Sequence, residues 1–459
     1  MRNVRLVDGL SIVLVAPLLS GCVIRIGPLD DQGRNGADEV FALPAPRPPR
    51  GDTPAPSEDE PALDDAHQAR KAEVDRYIIE VIYHGAKIVD TVQLPSGDVV
   101  DFLDRDTLPA TPELPELPFS LDLTVPPGVE LGLSELEQIP ELLAIAQTAT
   151  PMHRPTFWPY ILGETDATSI EDYLDRYQLG GVPKGSDHLH AGWSTLATNR
   201  GVSSFMNQFR PEHEVEQGSF SLMEMTVSCP TDGKEVEMIG VVISIDKVNP
   251  FGKNRKALTD NEPRLHVEFA VPDPITGKAR YRWDGTDGKF VENPARFRHR
   301  VGEKVPVSVV GGQQIEHLAA IFQGLTGDWH IMYQGEILGS YPKTLFKSLN
   351  GLNGAACRTS WYGEVARWTP PLPKPWPHTD IGSGKLPDPN DTSNTAYVRN
   401  PLFYDSTWIG LTAESELHGK MMEKESCYKS SEFQNGPLPG DRLFYLGGHG
   451  GNDPACVWP

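Results

Sequence analysis

Basic residues are scarce in this 459-residue chain: 41 Lys and Arg stand against 63 Asp and Glu, a formal net charge of −22. A surface this acidic repels phosphates, and we therefore expect no nucleic-acid partner. Long apolar stretches are missing beyond the N-terminus, so no transmembrane helix is predicted there. Helix-period stretches are also few, whereas 43 Gly and 42 Pro indicate a globular protein rich in turns.

The familiar motifs of hydrolases and nucleotide-binding enzymes are absent as well. The chain has no GxSxG, no HExxH and no P-loop. Asp187-His188-Leu189-His190 could place two imidazoles on one strand face, but the sequence offers no obvious third metal ligand. We expect neither a metal nor another cofactor.

Cysteine is sparse. Besides Cys22, the chain contains Cys229, Cys357, Cys427 and Cys456, and none of them forms a CxxC pair. An even number of cysteines in an exported protein favours two disulfides over a zinc site.

The N-terminal residues 1–22 are typical of a bacterial lipoprotein signal peptide. Arg2 and Arg5 precede a short apolar run, and Leu19-Ser20-Gly21-Cys22 resembles a lipobox, in which the cysteine carries the lipid. The alternative is a short buried helix. Residues 23–72 are rich in proline and acidic side chains, which predicts a disordered tether. We therefore expect an envelope protein that is lipid-anchored at Cys22, at the outer membrane or the cell surface.

Two further regions follow the tether. Residues 73–150 predict a small unit with a hairpin at 83–106, turning around Pro95-Ser96-Gly97-Asp98, and a helix at 133–148 that breaks or restarts at Pro140. Residues 151–459 predict a second domain. From about residue 186 onward, short alternating apolar runs separated by Gly, Pro, Asn and Asp predict an antiparallel β-sandwich, so the fold class is mainly β.

With those motifs and a metal site set aside, carboxylates are the remaining candidates for catalysis. Glu364 stands out among them because it lies with Trp361, Tyr362 and Val365 in a strand-like run. A surface charge on an edge strand and a paired structural charge are two readings. The third is catalytic: of two carboxyl groups, an ionised one activates water and a protonated one donates to the leaving group. Because an apolar wall raises a carboxyl pKa, we expect the aromatic neighbours to keep a carboxyl here protonated.

An ordered series of motifs resembles the neprosin family of glutamic peptidases. The motifs are TGDW at 326–329, GSYPKTLF at 339–346, WYGEV at 361–365, IGSGKLP at 381–387 and FYLGGHG at 444–450. The resemblance covers roughly 186–459, and the 83–106 hairpin looks like the core of the family's activation domain. It implies a β-sandwich endopeptidase that uses two glutamates, cleaves after proline in acid, and is made as a zymogen whose N-terminal domain is removed at low pH.

The resemblance also implies the catalytic pair. The family's second glutamate, in a WGGEV-type motif, maps onto Glu364. Its first lies in a strand reading roughly IEAGW, for which Val236-Glu237-Met238-Ile239-Gly240 is the match, so Glu237 is predicted, with Glu235 and Glu268 as alternatives. Glu237 stands three residues before its glycine, where the family has two. A slip of one residue reverses the face of a strand unless a bulge absorbs it.

The family's C-terminal cysteine pair looks retained as Cys427 and Cys456, which leaves Cys229 and Cys357. These two precede Glu237 and Glu364 by eight and seven residues. A Cys229–Cys357 bridge is therefore a hypothesis that would bring the two glutamate-bearing segments together.

The aromatic residues Trp361, Tyr362 and Trp329 are expected to help shape a substrate pocket, because flat aromatic faces suit a proline ring. The expected partners are then proline-containing peptides. The main alternative is a non-catalytic envelope sandwich that binds peptide or glycan. A glycoside hydrolase is a further alternative, since a carboxylate pair serves that chemistry too.

Overall fold

The computed structural model describes residues 64–109, 117, 119, 121, 123–174, 187–212, 215, 219–230, 236–246, 262–273, 279–348, 351–367, 379–388, 393–422, 425–450 and 456. The predicted signal peptide with Cys22, the predicted tether up to residue 63, and Glu235 lie outside these residues. No helix in the described ranges is both long and apolar enough to cross a membrane.

The first part of the structure, residues 64–174, is called the N-terminal unit below. It contains one antiparallel sheet in the order β1-β2-β4 and several short helices. Its elements are α1 Asp65–Tyr77, which continues as a π-helical turn at Ile78–Ile82, β1 Ile88–Gln93, β2 Val99–Asp104, β3 Val129–Leu131, α2 Pro140–Ala146, β4 Ala149–His153, α3 Trp158–Ile161 and α4 Ile170–Tyr173.

The predicted hairpin is confirmed, and the helix predicted at 133–148 forms as an α-helix only from Pro140 to Ala146. Strands β1 and β2 pair antiparallel around the predicted turn. Helix α2 begins at Pro140, where a proline is tolerated because the first helical turn has no use for its N–H. The predicted domain boundary at residue 150 lies inside β4, and both α3 and α4 pack with α1 in one apolar cluster.

Two larger antiparallel sheets form the rest of the structure. The long alternating runs of Val, Ile, Phe and aromatic residues favour strands because such side chains fill a pleated, half-buried surface. The strands are β5 Asp187–Asn199, β6 Gly201–Asn207, β7 Ser219–Pro230, β8 Val236–Asp246, β9 Arg264–Pro272, β10 Ala279–Trp283, β11 Val291–Glu292, β12 Gln314–Gln323, β13 Trp329–Tyr333, β14 Glu336–Tyr341, β15 Ala356–Arg367, β16 Tyr397–Tyr404, β17 Gly410–Thr412, β18 Leu417–Met422, β19 Lys429–Ser430, β20 Gln434–Asn435 and β21 Arg442–Gly447.

The two sheets pack face to face, as the sequence predicted. One has seven strands in the order β10-β9-β8-β7-β15-β5-β18, and the other has eleven, with β12, β6 and β16 near its centre. Alternate residues from both sheets meet in one large apolar core, for example Ile239 and Trp361 from the first sheet and Ile321 and Trp329 from the second. The other residues of each strand therefore point away from this core.

Both predicted disulfides form. Cys229 pairs with Cys357, and Cys427 pairs with Cys456. The first bridge joins the end of β7 to the start of β15, two strands that are already hydrogen-bonded neighbours in the seven-stranded sheet. It therefore ties together two of the four strands that carry the site described next.

Candidate active site

A row of acidic and imidazole side chains crosses the outward face of the seven-stranded sheet. His188 and His190 stand on β5, Glu364 on β15, Glu224 on β7 and Glu268 on β9. Strand pairing places His190 directly opposite Glu364. On each strand the residues next to these lie in the core between the sheets, as Leu189, Val365, Met223, Met225 and Val267 do. Strand alternation therefore brings five chemically active side chains onto one face.

Two histidines hold the carboxylate of Glu364. His188 Nδ1 is hydrogen-bonded to Glu364 Oε1, and His190 Nε2 lies 3.5 Å from Oε2. Burial acts to raise the pKa of this carboxyl, but the hydrogen bonds and positive charge of the two imidazoles outweigh it and hold the pKa at about 2. Both imidazoles are 21% exposed, so this end of the row faces solvent. Glu364 is accordingly ionised at any pH above about 2.

The second carboxyl group of the site belongs to Glu224, which is 2% exposed. The Tyr362 hydroxyl donates a 2.6 Å hydrogen bond to its Oε2. Burial, together with the charge of Glu364, raises the pKa of Glu224 to about 7. Glu268 is 3% exposed, and burial and the charge of Glu224 raise its pKa well above the usual value. In acid this pair therefore holds protons while Glu364 holds none.

Gly240 on β8 makes room for the two buried carboxyls. It lies opposite Glu268 in the sheet. A Cβ added at this position would come within 2.6 Å of Glu224 Oε1 and within 2.9 Å of Glu268 Cγ. A side chain of any size on residue 240 would therefore displace one or both carboxyls.

We expect Gly240→Ala to reduce activity more than stability. The crowded atoms are the ends of flexible side chains, so the strand can keep its place while the carboxyls move. A displacement of about 1 Å at reacting groups costs on the order of 100-fold in rate. The measurements are kcat/KM on a proline-containing peptide, the substrate expected from the sequence, and the melting temperature. Gly419→Ala on β18 is the matched control, since a Cβ there meets nothing within 4 Å. Equal activities of the two variants would contradict the assignment.

Glu237 is not brought together with Glu364, so the pairing expected from the sequence is corrected. It shares the inward face of β8 with Ile239 and Val241, opposite to the face of Gly240. Its Oε1 accepts hydrogen bonds from the backbone N–H groups of Lys347 and Ser348, and its Oε2 accepts one from Leu352. Glu237 lies three residues before Gly240, and in a regular strand residues an odd number apart point to opposite faces. Glu237 therefore points away from the face that carries Glu364.

Glu237→Gln should therefore lower stability and leave the chemistry of the folded protein intact. A glutamine amide cannot accept from backbone donors as both carboxylate oxygens do, and one unmet buried donor costs about 1–3 kcal/mol. Chemical denaturation measures that loss in the free energy of unfolding. Glu425→Gln, at an exposed ion pair, serves as the control and is expected to stay within about 0.5 kcal/mol of wild type. A loss of kcat without a loss of stability would count against this placement.

The predicted aromatic pocket residues separate between the two faces of the sheet. Trp361 and Trp329 are fully buried in the core between the sheets, and the Trp329 indole donates to the Leu352 carbonyl. The expectation that they bind substrate is corrected, because neighbours in a strand point in opposite directions. Tyr362 lies on the face of Glu364, where Phe220 and Trp283 provide further aromatic surface.

The chemical role expected for the aromatic neighbours is also corrected. The pKa of Glu364 is lowered by the two histidines, and the protonated carboxyls belong to Glu224 and Glu268. His188 and His190, considered from the sequence as a possible metal pair, are hydrogen-bond partners of Glu364. Within the described ranges, no group of three or more His, Cys, Asp or Glu side chains is arranged to hold a metal ion.

Sequence reasoning missed Glu224 altogether and ranked Glu268 behind Glu237. The signal for Glu224 was present in the run SFSLMEMTVSC, where a lone carboxylate shares a face with Phe220 and Leu222. A charge at an apolar position of an alternating strand is costly unless it is paired or protonated. That cost marks Glu224 as a candidate even without the structure.

Comparison with protein families finds similarity in the same part of the chain. Residues 259–449 match the Neprosin family. The resemblance seen in the motif series is therefore confirmed over this range. The matched range contains Glu268 and Glu364 and begins after Glu224.

Comparison with solved structures finds two peptidases. The structure of scytalido-glutamic peptidase with a peptide-based transition-state analogue has a TM-score of 0.28 at 8% identity, covering 57% of this chain and 99% of the other. The structure of SCP-B, a member of the eqolisin family in complex with the tripeptide Ala-Ile-His, has a TM-score of 0.26 at 8% identity, covering 57% and 98%. No curated protein sequence matched.

Proposed function

We propose that this protein is a glutamic endopeptidase that hydrolyses peptide bonds at proline, with Glu364 as the general base and Glu224 as the general acid. The observation that carries the proposal is the opposite shift of two carboxyl pKa values on one sheet face. Titratable groups whose surroundings push their pKa values apart are the usual signature of an acid–base pair. The Neprosin match over 259–449 supports the same class of reaction.

The proposed reaction has two steps, the addition of water and the elimination of the amine. Ionised Glu364 acts in the first step and protonated Glu224 in the second. Ionised Glu364 takes a proton from a water molecule as the water oxygen bonds to the scissile carbonyl carbon. Protonated Glu224 then gives its proton to the amide nitrogen as the carbon–nitrogen bond breaks. Tyr362 orients Glu224 through its hydrogen bond to Oε2. Glu268 acts through Glu224, because its protonated carboxyl is hydrogen-bonded to Glu224 and lowers the Glu224 pKa against the effect of burial.

The aromatic surface beside the pair supports a preference for proline. Phe220 and Tyr362 belong to the apolar cluster on the same face, and Trp283 packs against it. Trp283 also lies directly opposite Glu268 in the sheet. Aromatic faces of this kind provide flat apolar contact for a pyrrolidine ring.

The pH profile of the wild-type protein tests the proposal. Glu364 is ionised above about pH 2, and Glu224 stays protonated below about pH 7. We therefore expect kcat/KM on a proline-containing peptide to hold a plateau in acid. Above a pH of about 7 it should fall tenfold for each pH unit.

Two outcomes of this assay would count against the proposal. A rate that rises through neutral pH would mean that the base, and not the acid, titrates there. Binding of the proline-containing peptide without cleavage at any pH, including after acid treatment, would favour the alternative of a non-catalytic sandwich.

Location and processing complete the proposal. A lipid on Cys22 would hold the protein in the cell envelope, at the outer membrane or the cell surface, with the part of 23–72 that precedes α1 as the tether. In this setting the substrates are proline-containing peptides and proteins outside the cytoplasm. The neprosin resemblance further suggests cleavage of the chain at low pH between the N-terminal unit and the sandwich.

A further inference from the structure

The eleven-stranded sheet is apolar on both of its faces. On β12, Ala319 and Ile321 point into the core between the sheets, while Leu318, Ala320 and Phe322 form a second cluster on the outer side. Phe205, Met332 and Tyr404 from neighbouring strands extend this outer cluster. A sheet with one solvated face carries polar residues there, whereas apolar residues on both faces are typical of a covered sheet.

The cover is supplied by residues of the N-terminal unit between 117 and 132, called the covering segment below. Phe119 stacks on Tyr404 with ring centroids 3.9 Å apart and meets Phe322 edge-on at 5.4 Å. Leu121, Val125 and Leu131 pack against the same cluster. Strand β3 adds to the sheet by pairing parallel to β12.

Buried polar groups fix the covering segment in place. The Arg399 guanidinium donates to the Thr124 carbonyl at 3.1 Å and is itself paired with Glu316 at 2.6 Å. The Gln334 amide donates to the Gly132 carbonyl at 3.0 Å. Removing the segment would leave these buried donors short of an acceptor, which is costly.

A second surface joins the N-terminal unit to the sandwich. Arg264 makes two hydrogen bonds with Asp98, at 2.8 and 2.9 Å. Thr150 donates to the Pro294 carbonyl at 2.6 Å, and Tyr77 donates to the Thr286 carbonyl at 2.8 Å. All described residues fall within one compact unit.

We propose that the N-terminal unit is an integral layer of the folded protein at neutral pH, with the covering segment as its anchor, and that at this pH it stays bound when the chain is cut before β5. The covered face is the outward side of the eleven-stranded sheet, whereas Glu364 faces outward from the seven-stranded sheet. The inference concerns chain association alone and does not rest on the proposed peptidase activity.

The experiment cuts the full-length chain and asks whether the pieces separate. A recognition sequence for a specific protease is inserted between residues 180 and 181, and the folded protein is cleaved to completion at neutral pH. Cys22 is the one cysteine of the N-terminal piece, and the four cysteines of the other piece pair with one another, so no disulfide holds the two pieces together. We expect both to elute as one species in size-exclusion chromatography and to separate in concentrated urea. Elution of the N-terminal piece on its own in native buffer would overturn the proposal.

Paired variants of the cut protein locate the anchor. Phe119→Ala with Leu131→Ala truncates one buried and one partly buried side chain of the covering segment and should weaken association at least ~100-fold, given the cost of truncating large apolar side chains. Leu123→Ala with Leu133→Ala is the matched control, because these leucines are 45% and 54% exposed. It should stay within about threefold of the parent protein. Circular dichroism before cleavage checks folding, and equal dissociation of the two variants would contradict the role of the covering segment. If the anchor variant does not fold, the elution of the unmutated cut protein decides the question.

Discussion

Glu364→Gln is expected to reduce kcat on a proline-containing peptide by ~10³-fold or more, the range seen when a general base is removed. The amide has nearly the shape of the carboxylate, so the strand and its neighbours can stay in place. It cannot take a proton from water, however, and it carries no charge for His188 and His190 to stabilise. Steady-state kinetics at a pH inside the acidic plateau measures the loss.

Glu237→Gln is the matched control for this experiment. Both glutamates are buried in the same seven-stranded sheet, at 7% and 1% exposure, but on opposite faces. We expect the control to keep its kcat per folded molecule while losing stability. The account fails if Glu237→Gln abolishes turnover and Glu364→Gln does not.

Glu224→Gln should reduce kcat by ~10²-fold and remove the fall in rate above about pH 7. A glutamine can still donate a hydrogen bond to a developing negative charge, but it has no proton to give to the leaving nitrogen. Since Glu224 has its pKa raised to about 7, it is the group that ends the acidic plateau. The full pH dependence of kcat/KM for the variant provides the measurement.

Glu268→Gln separates the acid from its neighbour. The hydrogen bond from Glu268 lowers the pKa of Glu224, and an amide is a weaker donor than a protonated carboxyl. The pKa of Glu224, and with it the pH at which the rate falls, should therefore rise above that of wild type. Much of the plateau rate should survive, because the proton donor is still present. If instead Glu268→Gln abolishes the rate and Glu224→Gln does not, Glu268 is the acid.

Much of the architecture follows from local patterns in the sequence. The turn at 95–98 and the proline at 140 act through backbone geometry that depends on a few adjacent residues, and the hairpin and the start of α2 are as predicted. Alternating apolar runs specify the two sheets. The disulfides were predicted from the neprosin resemblance, which implies the Cys427–Cys456 pair and leaves Cys229 for Cys357.

The partner of Glu364 could not be derived in the same way. It depends on which residues of β8 point outward. A difference of one residue in the spacing to Gly240 decides whether Glu237 shares the face of this glycine or lies on the opposite one. The same alternation puts Trp361 in the core and Tyr362 beside Glu364. Counting alternate positions from Glu364 already places Tyr362 on its face and excludes Trp361, whereas nearness in sequence alone does not separate the two.

The ionisation states required the three-dimensional arrangement. Aromatic neighbours in the sequence predict a raised pKa by desolvation alone. In the fold, the two imidazoles of β5 lie against Glu364, and their hydrogen bonds outweigh burial. Glu268 comes from a strand two places away from the one that carries Glu224. No local pattern reveals such a long-range pairing of charges.

A titration of the individual carboxyl groups tests the central claim most directly. The glutamate side chains are labelled with ¹³C at the carboxyl carbon, and their NMR shifts are followed across pH, with Glu364→Gln and Glu224→Gln assigning the resonances. The account predicts that Glu364 stays ionised down to about pH 2, while the Glu224 signal titrates near pH 7. Titration of both carboxyls at the ordinary pKa of glutamate, or of Glu364 above Glu224, would contradict it.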